Sequence, residues 1–513
     1  MITAPSGLGS LAALAGEYLT SLPGGLRPSC DSGWMRRAGG RELLGWLGAA
    51  GLAVAVSAQV AASARSELLF RDGDSLVVAM LSRSILSGER LDWAMSSVLF
   101  VPETALYALL SVTLPFDVNG LLAVNAVLNV IALYGALRLT AGRRSPHAAP
   151  VSWTLTALAA FGLLAVTETS ASRDALELAS LLLTTTYYSS TVISMIAVCG
   201  LIRRGLDGAS AWTLAAVAPI ALVATMSNPL FAAWTTAPVV VVLAVLLLRT
   251  RRRGRMLAAA AVLAGGTALG FLARIPLSAW ITNSGAGYAQ PERWIQSLGY
   301  YDELLAARLS DPPGLIAAAT VLGLLAVGVV RTLRADSDGE RFLAAASWIV
   351  PLLVTVGAVA LGTHAARYLQ PVVLAPLLAL VAAPRPVRAP KPLVWIAAAA
   401  IAVACAFGSP RLSDAAHRPD ADLDCVVDWV NASGRTGAGQ FWTVRLPKAH
   451  LDDPAQLVQV DHRLDDYAWL VNRTDFTGPT PSFLIEDAQT VPWDLPEQPT
   501  TIATCGRYTI LAR

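Results

Sequence analysis

Long apolar runs of about 20 residues constrain this chain more than any other feature, because each can cross roughly 30 Å of hydrocarbon as a helix. Such runs recur between residues 43 and 407. Charged residues make up only 14% of the chain, whereas a soluble domain carries about 25%. Since a backbone crosses lipid only as a helix or a closed barrel, the sequence predicts an α-helical polytopic membrane protein.

Eleven candidate spans follow from this reading. They are 43–64, one crossing within 97–139, 151–166, 178–202, 211–226, 231–248, 256–273, 314–330, 342–361, 369–383 and 393–407. The run 97–139 is long enough for two spans, but two would place Arg143 and Arg144 on the outer face. One net crossing, with the first half at the interface or re-entering, is therefore favoured over twelve spans.

Basic residues set the predicted orientation, because cytoplasmic loops of membrane proteins are rich in Lys and Arg. One basic cluster precedes the first span, at Arg36, Arg37 and Arg41. The others follow every second span, at Arg143 and Arg144, Arg203 and Arg204, 249–255, Arg331 and Arg334, and Arg385, Arg388 and Lys391. The prediction is a multi-pass cell-membrane protein with a cytoplasmic tail (1–40), a membrane domain (41–408) and an extracytoplasmic domain (409–513). A net charge of +2 gives no reason to expect nucleic acid as a partner.

Four outer loops follow from this topology: loop 1 (65–103), loop 2 (167–177), loop 3 (274–312) and loop 4 (362–368). Residues 409–513 regain charge and turn residues, which predicts a small α/β domain. A short helix is predicted to begin at Cys425, and short strands at Phe441, Leu457, Ser482 and Tyr508. Cys425 and Cys505 are the only cysteines of this domain and could pair in an oxidising compartment.

Loop 1 holds the leading candidates for chemistry. Asp72 and Asp74 directly follow the first span. The apolar stripe of residues 75–86 predicts an amphipathic helix lying on the membrane, with Arg83 facing up as a candidate substrate contact. A carboxylate at this depth could act as a general base toward a hydroxyl, or hold a metal against a phosphate. The alternative is a solvated loop balanced by its own arginines.

The other loops supply possible partners for these acids. Asp174 and Glu177 in loop 2 could split acid and base roles with loop 1, or simply cap a hairpin. Arg367 in loop 4 would suit a phosphate, which Arg binds bidentately, with His364 and Tyr368 beside it. Trp280, near the start of loop 3, suits a sugar face or a lipid headgroup. The alternative for these aromatic residues is anchoring at the membrane interface.

Three stretches together resemble the GT-C superfamily of membrane glycosyltransferases. The segment from Asp74 to Gly88 is similar to the family's acidic residue followed by a helix ending in L-x-x-G. The segment from Phe100 to Leu110 resembles the start "P-P-L-Y-x-L-L", with Glu103 in place of the second proline. Residues 367–371, Arg-Tyr-Leu-Gln-Pro, resemble the "R-Y-x-x-P" opening of a late span.

The resemblance implies transfer of a sugar from a polyprenyl-phosphate donor to a cell-envelope glycan or lipid acceptor, with inversion. Asp74 takes the place of the catalytic carboxylate, with Asp72 a close rival because the alignment needs a one-residue gap. Asp174 or Glu177 occupies the second acidic position, and Arg367 meets the donor phosphate. The family includes metal-dependent and metal-independent members, so a divalent ion, Mg²⁺ or Mn²⁺, is a cofactor that the resemblance allows without requiring.

Two other functions compete with this reading. A transporter or flippase of lipid-linked sugars would need broken helices at mid-membrane, and the only strong break is at Ser227-Asn228-Pro229. A non-catalytic membrane protein that displays its outer domain would need residues 409–513 and could lose its loop carboxylates.

Overall fold

The computed structural model describes residues 32–142, 148–248, 253–386 and 390–513. In chain order, the helices before the C-terminal domain are α1 (Ser32–Ala61), α2 (Val77–Leu86), α3 (Val101–Thr113), α4 (Val118–Thr140), α5 (Pro150–Val166), α6 (Ser189–Leu206), α7 (Ala211–Ala215), α8 (Val217–Ser227), α9 (Ala237–Leu247), α10 (Arg253–Ala273), α11 (Trp294–Leu309), α12 (Pro312–Leu333), α13 (Asp338–Ala360), α14 (Gln370–Leu374), α15 (Leu378–Ala382) and α16 (Lys391–Ala416).

Seven of these described helices are long and apolar enough to cross a membrane: α1, α4, α6, α10, α12, α13 and α16. They indicate a membrane-embedded helical protein. The other four predicted spans correspond to shorter apolar helices, within 150–166, 211–227, 232–247 and 366–382. The last is divided into a 3-10 turn (Ala366–Leu369), α14, a second 3-10 turn and α15. The count of eleven crossings, like the orientation, stays a prediction.

Some predicted features fall on parts of the chain without a described structure. Most of the expected cytoplasmic tail, 1–40, lies outside the described residues. The same holds for Arg143, Arg144, Arg249 and Arg388 of the expected basic loops. Residues 45–513 form one compact unit by their contacts. The membrane helices in this range and the C-terminal domain therefore belong to the same unit.

The long apolar region 97–139 contains one short and one long helix. α3 has 13 residues, about 20 Å of helix, which is too short for the roughly 30 Å of a bilayer core. α4 has 23 residues and is capped by the preceding Asp117, whose carboxylate accepts a hydrogen bond from the Gly120 N–H at 2.8 Å. Only the second half of this region therefore has spanning length.

The predicted helix 178–202 begins late, which corrects the expectation from the sequence. Residues 178–188 form a 3-10 turn and irregular backbone, and α6 starts only at Ser189. The buried amide of Asn129 donates to the carbonyls of Leu182 and Thr184, at 3.0 and 3.2 Å. These side-chain bonds satisfy carbonyls that a helix would have paired, so the non-helical path is stable inside the protein.

The C-terminal domain contains α17 (Ala421–Ser433), α18 (Phe441–His450) and the strands β2 (Gly437–Gly439), β3 (Leu457–Gln459), β5 (Phe483–Glu486), β6 (Thr500–Cys505) and β7 (Tyr508–Ala512). The sheet order is β3-β2-β5-β7-β6. The segment beginning at Phe441 is a helix, so the predicted strand there is wrong. It joins β2 to β3, which pair in parallel, and parallel neighbours need a crossover connection.

A disulfide links two parts of this domain, and a pair of short strands links the domain to loop 1. Cys425 of α17 and Cys505 of β6 are bonded. In loop 1, β1 (Trp93–Ala94) pairs antiparallel with β4 (Val471–Asn472) from the C-terminal domain. The C-terminal domain is thus joined to loop 1 by a shared β-ladder. It is also continuous in the chain with the helix α16, which precedes it.

Candidate functional site

Asp72, Gly73 and Asp74 form a tight turn between a short π-helical segment, Glu67–Arg71, and α2. The Asp72 carboxylate folds this turn, since its Oδ1 accepts hydrogen bonds from the N–H groups of Asp74 (3.0 Å) and Ser75 (3.3 Å). The Ser75 hydroxyl donates to the Leu68 carbonyl. Local bonds therefore fix the backbone on which both acids sit.

Asp72 is also held by two side chains from distant parts of the chain. Arg173 of loop 2 lies 3.1 Å from Oδ2, and the Tyr187 hydroxyl donates to Oδ1 at 3.0 Å. The Asp72 side chain is 9% exposed. Burial, aided by the charge of Asp74, raises its pKa to about 6 even though Arg173 favours the ionised form. Both oxygens of Asp72 are thus occupied in holding the site together.

Asp74 differs from its neighbour in having no such partners. It is half-buried, and within the described residues no group donates a hydrogen bond to its carboxylate or pairs with it. A carboxylate that is near other charges but has free oxygens can accept a proton from an incoming hydroxyl. Of the two rival acids in loop 1, Asp74 has the geometry of a base and Asp72 that of a support.

A line of alternating charges connects this turn to loop 4. Arg173, bound to Asp72, lies 3.9 Å from Asp174, and Asp174 pairs with Arg367 at 3.1 Å. The Asp174 side chain is 47% exposed, so its contact with Arg367 faces solvent. The fold therefore brings together predicted residues of loops 1, 2 and 4 that are almost 300 positions apart in sequence.

Glu177 does not join this line. One oxygen accepts a hydrogen bond from Arg308 at 3.0 Å and the other from the Ser170 N–H at 2.7 Å, and the side chain is 6% exposed. Arg65 lies 3.8 Å away and donates to carbonyls of the same loop. Glu177 and Arg65 thus fold loop 2, and the contacts of Glu177 are those of a structural residue.

Two tyrosines that the sequence placed inside a span lie at the site. The Tyr187 hydroxyl donates to Asp72, and Tyr188 lies near Arg367. Tyr188 has φ +67°, a left-handed conformation that is costly for an aromatic residue. Strain of this kind persists where the surrounding structure enforces it, often at functional sites. The one sequence signal for this break was the run Thr184-Thr185-Thr186, a poor helix former.

A largely apolar cavity of about 250 Å³ lies beside the tyrosines that surround Arg367. Tyr188 and Tyr368 line it, as do Trp234 and the α13 residues Leu353 and Val354. The ring centroids of Tyr188 and Tyr368 are 6.5 Å apart, and the Arg367 guanidinium is 5.8 Å from the Tyr368 ring. Arg367 and this cavity therefore share Tyr188 and Tyr368 as neighbours.

Three other predicted contacts are not part of this arrangement. Arg83 donates to the carbonyls of Leu451 and Asp452 in the C-terminal domain. α2, which was expected to lie on the membrane, is mostly buried, because α3 and the C-terminal domain cover it. The Trp280 carbonyl accepts from the Met95 N–H, and the exposed His364 ring is 5.4 Å from that of Tyr300.

The C-terminal domain contributes residues that the sequence reading missed. The Arg173 guanidinium lies 3.9 Å from the centre of the Trp442 ring, a cation–π contact. The Nε of Arg445 donates to the Gly73 carbonyl at 3.3 Å. Both residues belong to α18, which was predicted as a strand, so their projection onto loop 1 was not foreseen.

Within the described residues, no cluster of three or more His, Cys, Asp or Glu side chains could hold a metal ion. Asp74, whose oxygens accept no hydrogen bond within the described residues, is the carboxylate that would hold a Mg²⁺ or Mn²⁺ ion here, and such an ion would supply positive charge to a phosphate.

Comparison with protein-family models and with curated proteins finds no match for this chain. Function is therefore inferred from the chemistry of the site.

Proposed function

We propose that this protein is a membrane glycosyltransferase of the GT-C type, which moves a sugar from a polyprenyl-phosphate donor to an extracytoplasmic cell-envelope acceptor. One observation carries the proposal. The free carboxylate of Asp74 lies in the same turn as Asp72, and Asp72 is joined through Arg173 and Asp174 to Arg367, next to which Tyr188 and Tyr368 line an apolar cavity. A base, a phosphate-binding cation and space for a lipid chain are the three groups that such a donor requires.

Arg367 is suited to the donor phosphate. A guanidinium binds two phosphate oxygens in its plane, and the exposed Asp174 can be displaced from it by a stronger anion. The hydroxyl of Tyr188 is within reach of the same guanidinium. The first isoprene units would then lie in the cavity lined by Tyr368, Trp234 and α13, where burial of apolar surface favours binding.

Asp74 would act on the acceptor. Its carboxylate takes the proton of an acceptor hydroxyl as that oxygen attacks the anomeric carbon, and the bond from that carbon to the phosphate oxygen breaks. The lipid phosphate leaves with its added negative charge next to Arg367, which stabilises the transition state. Attack from the face opposite the leaving group inverts the anomeric centre.

A flippase of lipid-linked sugars is the second candidate, since two interrupted segments border the same cavity. Asn228 and Pro229 follow the end of α8 and interrupt the helix there. Tyr368 lies in the 3-10 turn at the start of the divided region 366–382. Discontinuous helices next to a substrate cavity are typical of transporters. A flippase, however, has no need of a free base, so the role of Asp74 separates the two functions.

Replacing Asp74 with Asn tests this directly. In a strain that lacks the protein, wild type should restore a missing envelope sugar and Asp74→Asn should not, at matched membrane levels, because an amide cannot take the proton. Asp302→Asn, an exposed acid of α11, is the matched control and should behave as wild type. Full restoration by Asp74→Asn would exclude Asp74 as the base and favour the flippase.

A further inference from the structure

The C-terminal domain meets the candidate site through α18, which lies directly against the turn of Asp72, Gly73 and Asp74. A Cβ atom placed on Gly73 would lie 3.3 Å from the Cγ of Arg445 and 3.3 Å from the Cε3 of Trp442. Such contacts are tighter than ordinary van der Waals packing. Gly73 thus allows a close approach between helix and turn that a larger residue would disturb.

Arg445 makes the polar part of this contact. Its Nε donates to the carbonyl of Gly73, the residue between the two acids. Its Nη1 donates to the Leu470 carbonyl. Leu470 immediately precedes β4, the strand that pairs with loop 1. One side chain therefore bonds the acidic turn and also the strand by which the C-terminal domain joins loop 1.

The environment of Arg445 is unusual for an arginine. Its side chain is fully buried, with a relative exposure of 0%, and no carboxylate of the described residues forms an ion pair with it. Its Nη2 has no hydrogen-bond partner among those residues. Burial lowers its pKa to about 10, against the opposing charges of Asp74, Asp475 and Asp72. The group is therefore cationic at neutral pH, and a buried cation without a paired acid is costly.

An apolar side chain of similar volume would avoid this cost if packing were the only requirement. Arg445 instead supplies one donor and a positive charge to the turn that carries Asp72 and Asp74, and a second donor to Leu470 beside β4. Lys448, one turn further along α18, differs in being paired with Asp475 at 2.7 Å. The two buried cations of this helix thus have separate tasks, and only Arg445 faces the acidic turn.

We propose that Arg445 is a positioning residue through which the C-terminal domain holds the Asp72–Gly73–Asp74 turn in its active geometry. The consequence for sugar transfer rests on the proposed function of Asp74, whereas the consequence for the turn does not. The C-terminal domain is then a part of the catalytic centre, and removing its contact leaves the acids in place but mobile.

Hydrogen–deuterium exchange of the full-length protein in detergent tests the turn without any assay of activity. In Arg445→Met, peptides covering residues 70–80 should exchange about tenfold faster, because the amides of Asp74 and Ser75 lose a fixed acceptor in Asp72. Arg445→Lys keeps the charge but not both carbonyl bonds, and should lie in between. Arg463→Met, which removes an exposed ion pair with Asp494 in the same domain, is the matched control.

Activity is the second readout. Arg445→Met should lower kcat about tenfold or more with KM for the donor nearly unchanged, since Arg367 is untouched. Unchanged exchange at 70–80 would overturn the positioning role whatever the activity. Faster exchange in a protein whose wild type transfers no sugar would support the positioning role and refute the proposed function. If Arg445→Met does not fold, Gly73→Ala disturbs the same contact from the opposite side and should give the same pattern.

Discussion

Asp72 and Asp74 are two positions apart, yet the fold gives their carboxylates different hydrogen-bond partners. Asp72 accepts hydrogen bonds on both oxygens and is almost fully buried, while Asp74 has no bonded partner within the described residues. The sequence alone leaves both carboxylates as candidates for the base, with Asp74 favoured by the resemblance and Asp72 a close rival. The difference arises from Tyr187 and Arg173, which lie more than 100 positions away, and so it is visible only in the folded protein.

Asp72 also makes a pH-dependent contribution to stability. The pKa of Asp72 is about 6 in the folded protein against an ordinary value of 3.8 for an aspartate, so the folded state binds more protons between these values. Stability therefore falls as pH rises from about 4 to about 6, by at most about 1.4 kcal/mol per pH unit. Asp72→Asn should remove this slope. Thermal unfolding in detergent between pH 4 and 7 measures it, and an identical slope in the variant would contradict the assignment.

At the scale of elements, irregular segments between the helices place residues at the candidate site, just as the helices do. The region 178–202 reads as one apolar span, but its first part is irregular and carries Tyr187 and Tyr188 to the site. Helix propensity is weak compared with specific tertiary bonds. Here the bonds come from Asn129, on a neighbouring helix, and a reading of each segment by itself could not include them.

Asn129 therefore offers a test at this scale. Asn129→Ala leaves the carbonyls of Leu182 and Thr184 unsatisfied in a buried place, at a cost of about 1–3 kcal/mol for each. We expect a lower unfolding midpoint and faster deuterium exchange in residues 178–188. Asn119→Ala, on the same helix but without a bond to that segment, is the control. Wild-type exchange of 178–188 in Asn129→Ala would show that the irregular path has another cause.

At the scale of the whole molecule, the C-terminal domain is a structural partner of loop 1 and not a separate appendage. The β1–β4 ladder, the bonds from Arg83 to the carbonyls of Leu451 and Asp452, and the ion pair of Arg473 with Asp92 at 3.0 Å all join them. Loss of order in this domain should therefore reach the candidate site.

The disulfide of Cys425 and Cys505 makes this testable, since it closes a loop across 80 positions of sequence. Reduction should lower the stability of the domain by about 2–4 kcal/mol and should also reduce the proposed sugar transfer. The double variant Cys425→Ser with Cys505→Ser should show the same losses and no further response to reductant. Unfolding midpoints with and without reductant measure the effect, and an unchanged midpoint in wild type would refute it.

The amino-acid sequence by itself determined the membrane-embedded helical class, because apolar length is a local property that needs no partner. It also pointed to the acids of loops 1 and 2 and to Arg367, since charges next to apolar spans stand out in a linear reading. The tertiary structure alone decided which acid is free, that Glu177 and Arg83 have structural contacts, and that α18 reaches the acidic turn. Those outcomes depend on contacts between residues about 100 to 370 positions apart, whose energies are absent from any single segment.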